Sequence, residues 1–336
     1  MGAGACRLPG SGYTLPMDLA LIGFGNVGRA FARLIERKRA SFPFRIVGIH
    51  TARHGTALSA RGLAAEPEFG PPAASVESFL DDAKAEIAIE ITPLDPLAGQ
   101  PAIAHIRAAF ARHMHVVTAN KGPIAHAYWE LREEARAAGV QFRFESTVMD
   151  GAPVFSLVRD HLPGVQVLGF TGVLNSTSKI VVEALRDGMS IEEGIEAARR
   201  LGVTEANPSY DLDGWDSAAK TAALANVLME ARVTPQAIQP RGVGRLTPAR
   251  VQELDRRGKT VRIVSRAKRT PGGVRLRVRA EVLDKTDLLA AVVGTSNLIL
   301  LETDLMGTVG TVSVNPAVEQ TAYGLFSDLV DIARQA

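Results

Sequence analysis

The sequence predicts an α/β fold: a mostly parallel, doubly wound sheet with crossover helices, into which an α+β unit is inserted. Three observations lead there. From Met17 onward short apolar runs alternate with helical patterns, the mark of strands joined by crossover helices. A glycine cluster, GFGNVG at 23–28, sits where the first apolar run meets the first helical pattern. After Gly151 the alternation stops, and apolar runs and helical patterns fall into separate groups.

In chain order, the first unit offers five aliphatic, β-branched strands: DLALIGF (18–24), FRIVGIH (44–50), EIAIEIT (86–92), MHVVTA (114–119) and VQFRFES (140–146). Helical periodicity falls between them at 27–37, 76–84, 101–112 and 125–138. In the second unit GVQVLGFTGVLN, RIVSRAK, GVRLRVRAEVL and NLILLET are strands, with TPGG at 270–273 as a hairpin turn. Helices fill 179–228, and a terminal helix over about 317–332 is expected to pack back on the first unit. The expected division is therefore 17–150 plus about 305–336 for the first unit and 151–304 for the second. The stretch before Met17 lacks the basic start and apolar run of a secretory signal, reads as a disordered extension, and makes Met17 a candidate start.

A chain of 336 residues, 46% hydrophobic and 22% charged, can bury one or two cores, which excludes a disordered or fibrous protein. Lys+Arg 38 nearly balance Asp+Glu 36, and the arginines are scattered, so no nucleic-acid partner is expected. No apolar run approaches the roughly 20 residues that span a bilayer. One cysteine, Cys6, cannot form an internal disulfide, and a reducing cytoplasm is the expected compartment.

The glycine cluster has a physical task in a Rossmann-type dinucleotide site. Gly23 makes the tight turn, Gly25 lets backbone approach a pyrophosphate, and Gly28 allows close helix–strand contact, with Phe24, Asn26 and Val27 between them. The second strand ends in HTARHG, with Arg53 and no acid, which favours NADP over NAD because a ribose phosphate wants a guanidinium. Thr92 at the end of the third strand, and Asn120 and Lys121 in TANKGP after the fourth, complete the expected cofactor set.

The segment LGVTEANPSYDLDGWDSAAK at 201–220 places Glu205, Asp211, Asp213 and Asp216 ahead of Lys220, as a clamp for a small zwitterion beside a proton donor. Asp216 and Lys220 are four residues apart, so a surface ion pair is the plain alternative. The following AAKTAALANVL is almost wholly apolar, however, and a buried lysine needs a carboxylate or loses its proton; either suits proton exchange with a substrate. In GVLNSTSK, Thr177 and the local amides could meet a carboxylate or a nicotinamide group at a helix N-terminus, while Ser176 or Thr177 could also cap the helix. His113 and His115 lack the carboxylate or cysteine neighbours of a metal pair and read as surface residues.

GFGNVG, TANKGP, ESTVMDGAP, GVLNST, the 201–220 segment and TAYGLFSDL stand in the order and approximate spacing of homoserine dehydrogenases. The chain resembles that family over 17–332, in its short form without an aspartokinase or C-terminal regulatory domain. The resemblance implies a nucleotide-binding domain in the first unit, a substrate-binding and dimerisation domain in the second, and a homodimer. It implies NAD(P)-dependent interconversion of L-homoserine and L-aspartate 4-semialdehyde. Lys220 would be the main acid/base, assisted by Lys121 and Asp216, and Glu205, Asp211, Asp216 and Thr177 would hold the substrate or position the lysines. A monovalent cation such as sodium would be held by backbone oxygens of Glu145, Val148, Asp150 and Ala152.

The chain departs from the family pattern at Asp150, where glycine is usual, in NSTSKIVV where NGTTNYIL is common, and at Val203 and Asn207. VNPAVEQ also replaces a glycine-rich segment before Thr321. These positions bear on which alcohol fits, so an oxidoreductase for another small amino or hydroxy acid stands beside the leading reading. A non-catalytic nucleotide sensor is the third.

Overall fold

The structure is a computed structural model that describes residues 16–204 and 207–335. The N-terminal extension before Pro16 and the expected substrate ligand Glu205 lie outside the described residues.

The first unit runs β1 (Met17–Ile22), α1 (Asn26–Lys38), β2 (Phe44–Thr51), β3 (Gly55–Leu58), α2 (Val76–Ala83), β4 (Ile87–Glu90), α3 (Ala102–Phe110), β5 (His115–Thr118), α4 (Lys121–Ala138) and β6 (Phe142–Arg143). Its six strands lie in the order β3-β2-β1-β4-β5-β6, parallel except for the β2–β3 pair. Successive side chains of β1 point to opposite faces. Leu19 and Leu21 pack with Phe31 and Leu34 of α1, whereas Ala20 and Ile22 pack with Phe79 of α2 and Ile106 of α3. Both faces of β1 are therefore dry, which is why its sequence is continuously apolar rather than alternating.

The second unit continues with β7 (Val167–Val173), α5 (Ser176–Arg186), α6 (Ile191–Arg200), α7 (Ser209–Leu212), α8 (Trp215–Leu228), α9 (Pro248–Arg256), β8 (Lys259–Thr270), β9 (Gly273–Asp284), β10 (Asn297–Thr303) and β11 (Thr308–Ser313). These five strands form an antiparallel sheet, β11-β10-β7-β8-β9, with α5, α8 and α9 packed on β8. The expected hairpin closes between Thr270 and Gly273. The last helix, α10 (Val318–Gln335), packs on α1 and β5 of the first unit, as expected. α4 and α8 pack against each other and join the two units.

Four expectations need correction. β11 stays in the second sheet, so the chain returns to the first unit after Ser313 and not at about 305; the strand is an edge with half-exposed TVGTVS, which muted its signal. β3 is an additional four-residue antiparallel strand. The strand expected over 140–146 shrinks to Phe142–Arg143, because Glu145–Thr147 wind into a 3-10 turn. That turn buries the Glu145 carboxylate, which accepts amides of Val154, Phe155 and Ser156 at 2.6–2.9 Å. Finally, α4 starts at Lys121 rather than at 125, because Asn120 caps it by accepting the Gly122 amide at 3.0 Å and Pro123 is tolerated in a first turn.

Candidate active site

The nucleotide end is made of backbone. Gly23 turns the chain with φ +103°, and a Cβ there would lie 2.7 Å from the Ile91 carbonyl oxygen. A Cβ on Gly28 would meet the Ile91 and Phe24 side chains at 3.0 and 3.2 Å, so close packing of α1 on β4's end requires glycine. Gly25 meets nothing within 4 Å: the space before the N-terminus of α1 is open. No side chain caps that helix and no acid lies in its first turn, leaving amides and the positive end of the helix to an anion. The residues present thus fit a dinucleotide. Arg53 is exposed on the turn between β2 and β3, beyond the carboxyl end of β2.

The opposite end is made of buried charge. Asp216, in the first turn of α8 and 2% exposed, receives Lys121 of α4 on Oδ1 at 3.1 Å and Lys220 on Oδ2 at 3.0 Å. Lys220 Nζ also donates to the Leu174 carbonyl at 2.7 Å, which ties it to the end of β7. Asn175 adds a third support: its Nδ2 donates to Asp216 at 2.9 Å and to Asp211 at 2.7 Å. Burial by itself raises the Asp216 carboxyl. The two lysines and the Asn175 amide outweigh that and hold it well below the usual carboxylate range. The ion pair four residues apart is therefore present, but as one half of a buried bridge between two units.

A cleft of about 530 Å³ joins the two ends, running from Asn26 and Val27 to Lys121, Asp216 and Lys220. Asp150, Ser176, Val203, Asn297 and Thr321 also line it, and Arg199 and Arg200 sit on its rim. A larger cleft of about 600 Å³, walled by Tyr128, Trp129 and Phe144, lies elsewhere and contains neither lysine.

Several expected ligands have other work. Thr177 is fully buried and donates to the Val203 carbonyl at 3.1 Å, so it pins the 201–204 segment onto α5 instead of facing the cleft. Asn175, rather than Ser176 or Thr177, caps α5, accepting the Ser178 amide at 2.8 Å. Asn120 spends its side chain on the α4 cap and on the Thr92 carbonyl at 3.1 Å, while the Thr92 hydroxyl donates to Glu90. Asp213 is exposed and outside the cleft. His113 and His115 meet backbone: the Ala138 oxygen at 3.0 Å and the Gln141 amide at 2.9 Å.

No group of three or more His, Cys, Asp or Glu among the described residues could hold a metal. Because the Glu145 side chain is committed to three amides, a cation at 145–152 would rely on backbone oxygens. Asn175 was missed as a site residue, although its place at a strand end before a helical pattern is a capping signal. Lys179, in the NSTSKIVV stretch, does not face the cleft. It is 1% exposed behind the cleft wall, donating to the Ser296 carbonyl at 2.5 Å and to Asn297 Oδ1 at 3.2 Å. Burial, with Lys220 and Arg262 nearby, lowers its pKa to about 7.

A dinucleotide turn that opens, through one cleft, onto lysines held by a buried carboxylate defines an NAD(P)-dependent oxidoreductase. Comparison with known proteins narrows the class. Residues 153–330 match the family described as homoserine dehydrogenase, and residues 23–145 match the homoserine dehydrogenase NAD binding domain. The chain is 32% identical to the NAD(+)-dependent homoserine dehydrogenase of Pseudomonas canavaninivorans, over 95% of this chain and 96% of that protein. It is also 32% identical to the homoserine dehydrogenase of Methanocaldococcus jannaschii, over 94% and 98%. The solved homoserine dehydrogenase of Thermoplasma acidophilum superposes with a TM-score of 0.83 at 25% identity, over 95% of this chain and 100% of that one. The protein belongs to the homoserine dehydrogenase family.

Proposed function

We propose that the protein interconverts L-homoserine and L-aspartate 4-semialdehyde with NADP, on the branch toward threonine and methionine, as a cytoplasmic homodimer. The observation that carries this is the Lys121–Asp216–Lys220 bridge at one end of a cleft whose other end is the dinucleotide turn.

The bound nicotinamide supplies the hydride acceptor. The protein holds the alcohol carbon against it and handles the proton. In oxidation Lys220 acts as the free amine, having released its own proton to solvent, and takes the hydroxyl proton as the C–H bond breaks and the hydride leaves with its electron pair; in reduction its ammonium form gives a proton to the oxygen. Lys121 lies across Asp216 and orients that oxygen. Asp216 stays ionised throughout and fixes both amines, with Asn175 and Asp211 as its support.

The first sheet with α10 serves as the nucleotide-binding unit, and the second sheet with α5–α9 as the unit for substrate and dimerisation. Arg53 and the absence of an acid after β2 support NADP. The backbone oxygens of Glu145, Val148, Asp150 and Ala152 would hold a structural monovalent cation. Among the described residues no helix is long and apolar enough to cross a membrane.

The test is an assay of purified protein with L-homoserine and either NADP or NAD. Reduction of NADP, faster than of NAD, is expected. Inert L-homoserine with turnover of another small amino or hydroxy acid would replace this reading.

A further inference from the structure

A third cavity, of about 270 Å³, shares no lining residue with the active cleft; it lies among the last turns of α5, α9, the start of β8 and residues 285–293. Four cations and two carboxylates border it: Arg186, Lys259, Arg262 and Lys285 against Glu183 and Asp255. Three of the cations are partly exposed and have carboxylate partners, Arg186 with Asp187 at 2.8 Å, Lys259 with Asp284 at 2.7 Å and Lys285 with Asp255 at 2.7 Å. Arg262 differs. It is 4% exposed, and the Glu183 carboxylate stands 3.8 Å from its Nη2, beyond hydrogen-bond reach.

Neutral groups anchor this guanidinium. Nη1 donates to Thr260 Oγ1 at 3.1 Å and to the Val261 carbonyl at 3.0 Å, and Nη2 donates to the Ala290 carbonyl at 3.3 Å. An arginine carries five N–H donors, so these three bonds leave two. One is the buried Nε, which meets no acceptor among the described residues, and the other is on Nη2. Nε and Nη2 together form the edge that receives both oxygens of one carboxylate or phosphate. Arg45 spends that same edge on Asp18, at 2.6 and 2.7 Å. Glu183 is drawn away from it, because its Oε1 accepts the Gly294 amide at 3.2 Å. A buried cation with its two-pronged edge unspent is costly, and an anion offsets that cost. The volume is below the roughly 300–1,000 Å³ of pockets that take drug-sized ligands, which limits the occupant to a compact ion.

We propose that this cavity is a binding site for a compact oxyanion, a phosphate group or a short carboxylate, received side-on by Nε and Nη2 of Arg262, with Lys259 and Lys285 adding charge at the mouth. The site is independent of the homoserine reading, and its test needs no turnover.

The test is calorimetric titration of the NADP-saturated protein, its cofactor phosphate sites thereby filled, with inorganic phosphate and separately with malonate. One anion per chain should bind, with a Kd of about a millimolar or lower. Arg262→Met should weaken binding about tenfold or more, and Arg262→Lys, which keeps the charge without the fork, should do nearly the same. Glu183→Gln removes the competing carboxylate and should tighten binding about three- to tenfold, which an arginine that merely props the Ala290 carbonyl would not produce. Tighter binding of phosphate than of malonate identifies a phosphate group as the ligand, and the reverse identifies a carboxylate. Equal affinity in the wild type and both Arg262 variants would place the anion elsewhere and overturn the proposal. So would a wild type that binds neither anion, or weaker binding to Glu183→Gln.

Discussion

The two ends of the cleft are built from different materials. At the nucleotide end, Gly23, Gly25 and the start of α1 recognise a ligand with backbone, and the sequence there is a six-residue word. At the substrate end, Lys121, Asn175, Asp216 and Lys220 come from α4, the end of β7 and α8, and no two of the three segments are adjacent in sequence. A backbone site survives loss of most side chains but no added one. A charged site is the reverse: each member is needed to justify the burial of the others.

Substitutions can break that contrast. Asp216→Asn should have the largest effect, since it removes the buried carboxylate that two ammonium groups share. It should cost about 3–5 kcal/mol of stability in urea titrations and lower kcat by about 10²–10⁴. Gly25→Val should leave apo stability unchanged, because its Cβ enters open space, yet weaken NADPH binding by roughly 2 kcal/mol in fluorescence titration. A stability loss as large as the binding loss would contradict the open space. Arg53→Ala should raise the KM for NADP about tenfold and spare that for NAD; equal effects on both would remove Arg53 from phosphate recognition.

Lys179→Met sharpens the cost of buried charge. The folded pKa of about 7 lies below the ordinary 10.5. Between those values the unfolded chain binds a proton that the folded chain releases, so stability rises with pH by about 1.4 kcal/mol per unit from this group. Below pH 7 both states hold the proton and the penalty is complete. The variant should be more stable at pH 7 and lose this slope between pH 7 and 10. Unfolding curves that keep the wild-type slope would show that Lys179 stays charged.

Legibility followed the same division. The glycine turn, the parallel strands and the Asp216–Lys220 spacing could be read because each signal is local. The apolar surroundings of Lys220 also revealed its burial. What could not be read was which polar groups the fold would consume. Thr177 and Asn120 have the chemistry of ligands, and tertiary neighbours claimed them as Val203's clasp and the cap of α4. Glu145 lies in an apparent strand, but the amides of residues 154–156 draw it into a turn. β3 and β11 are edge strands with little apolar content to announce them.

The central claim is that Lys220, held by Asp216, moves the proton while the glycine turn independently holds the cofactor. Its most direct test is Lys220→Ala, measured for L-homoserine-dependent NADP reduction and for NADPH affinity on the same preparation. The account predicts turnover lower by about 10²–10⁴ with NADPH affinity unchanged. Turnover within a few-fold of wild type, or parallel loss of turnover and NADPH affinity, would contradict it.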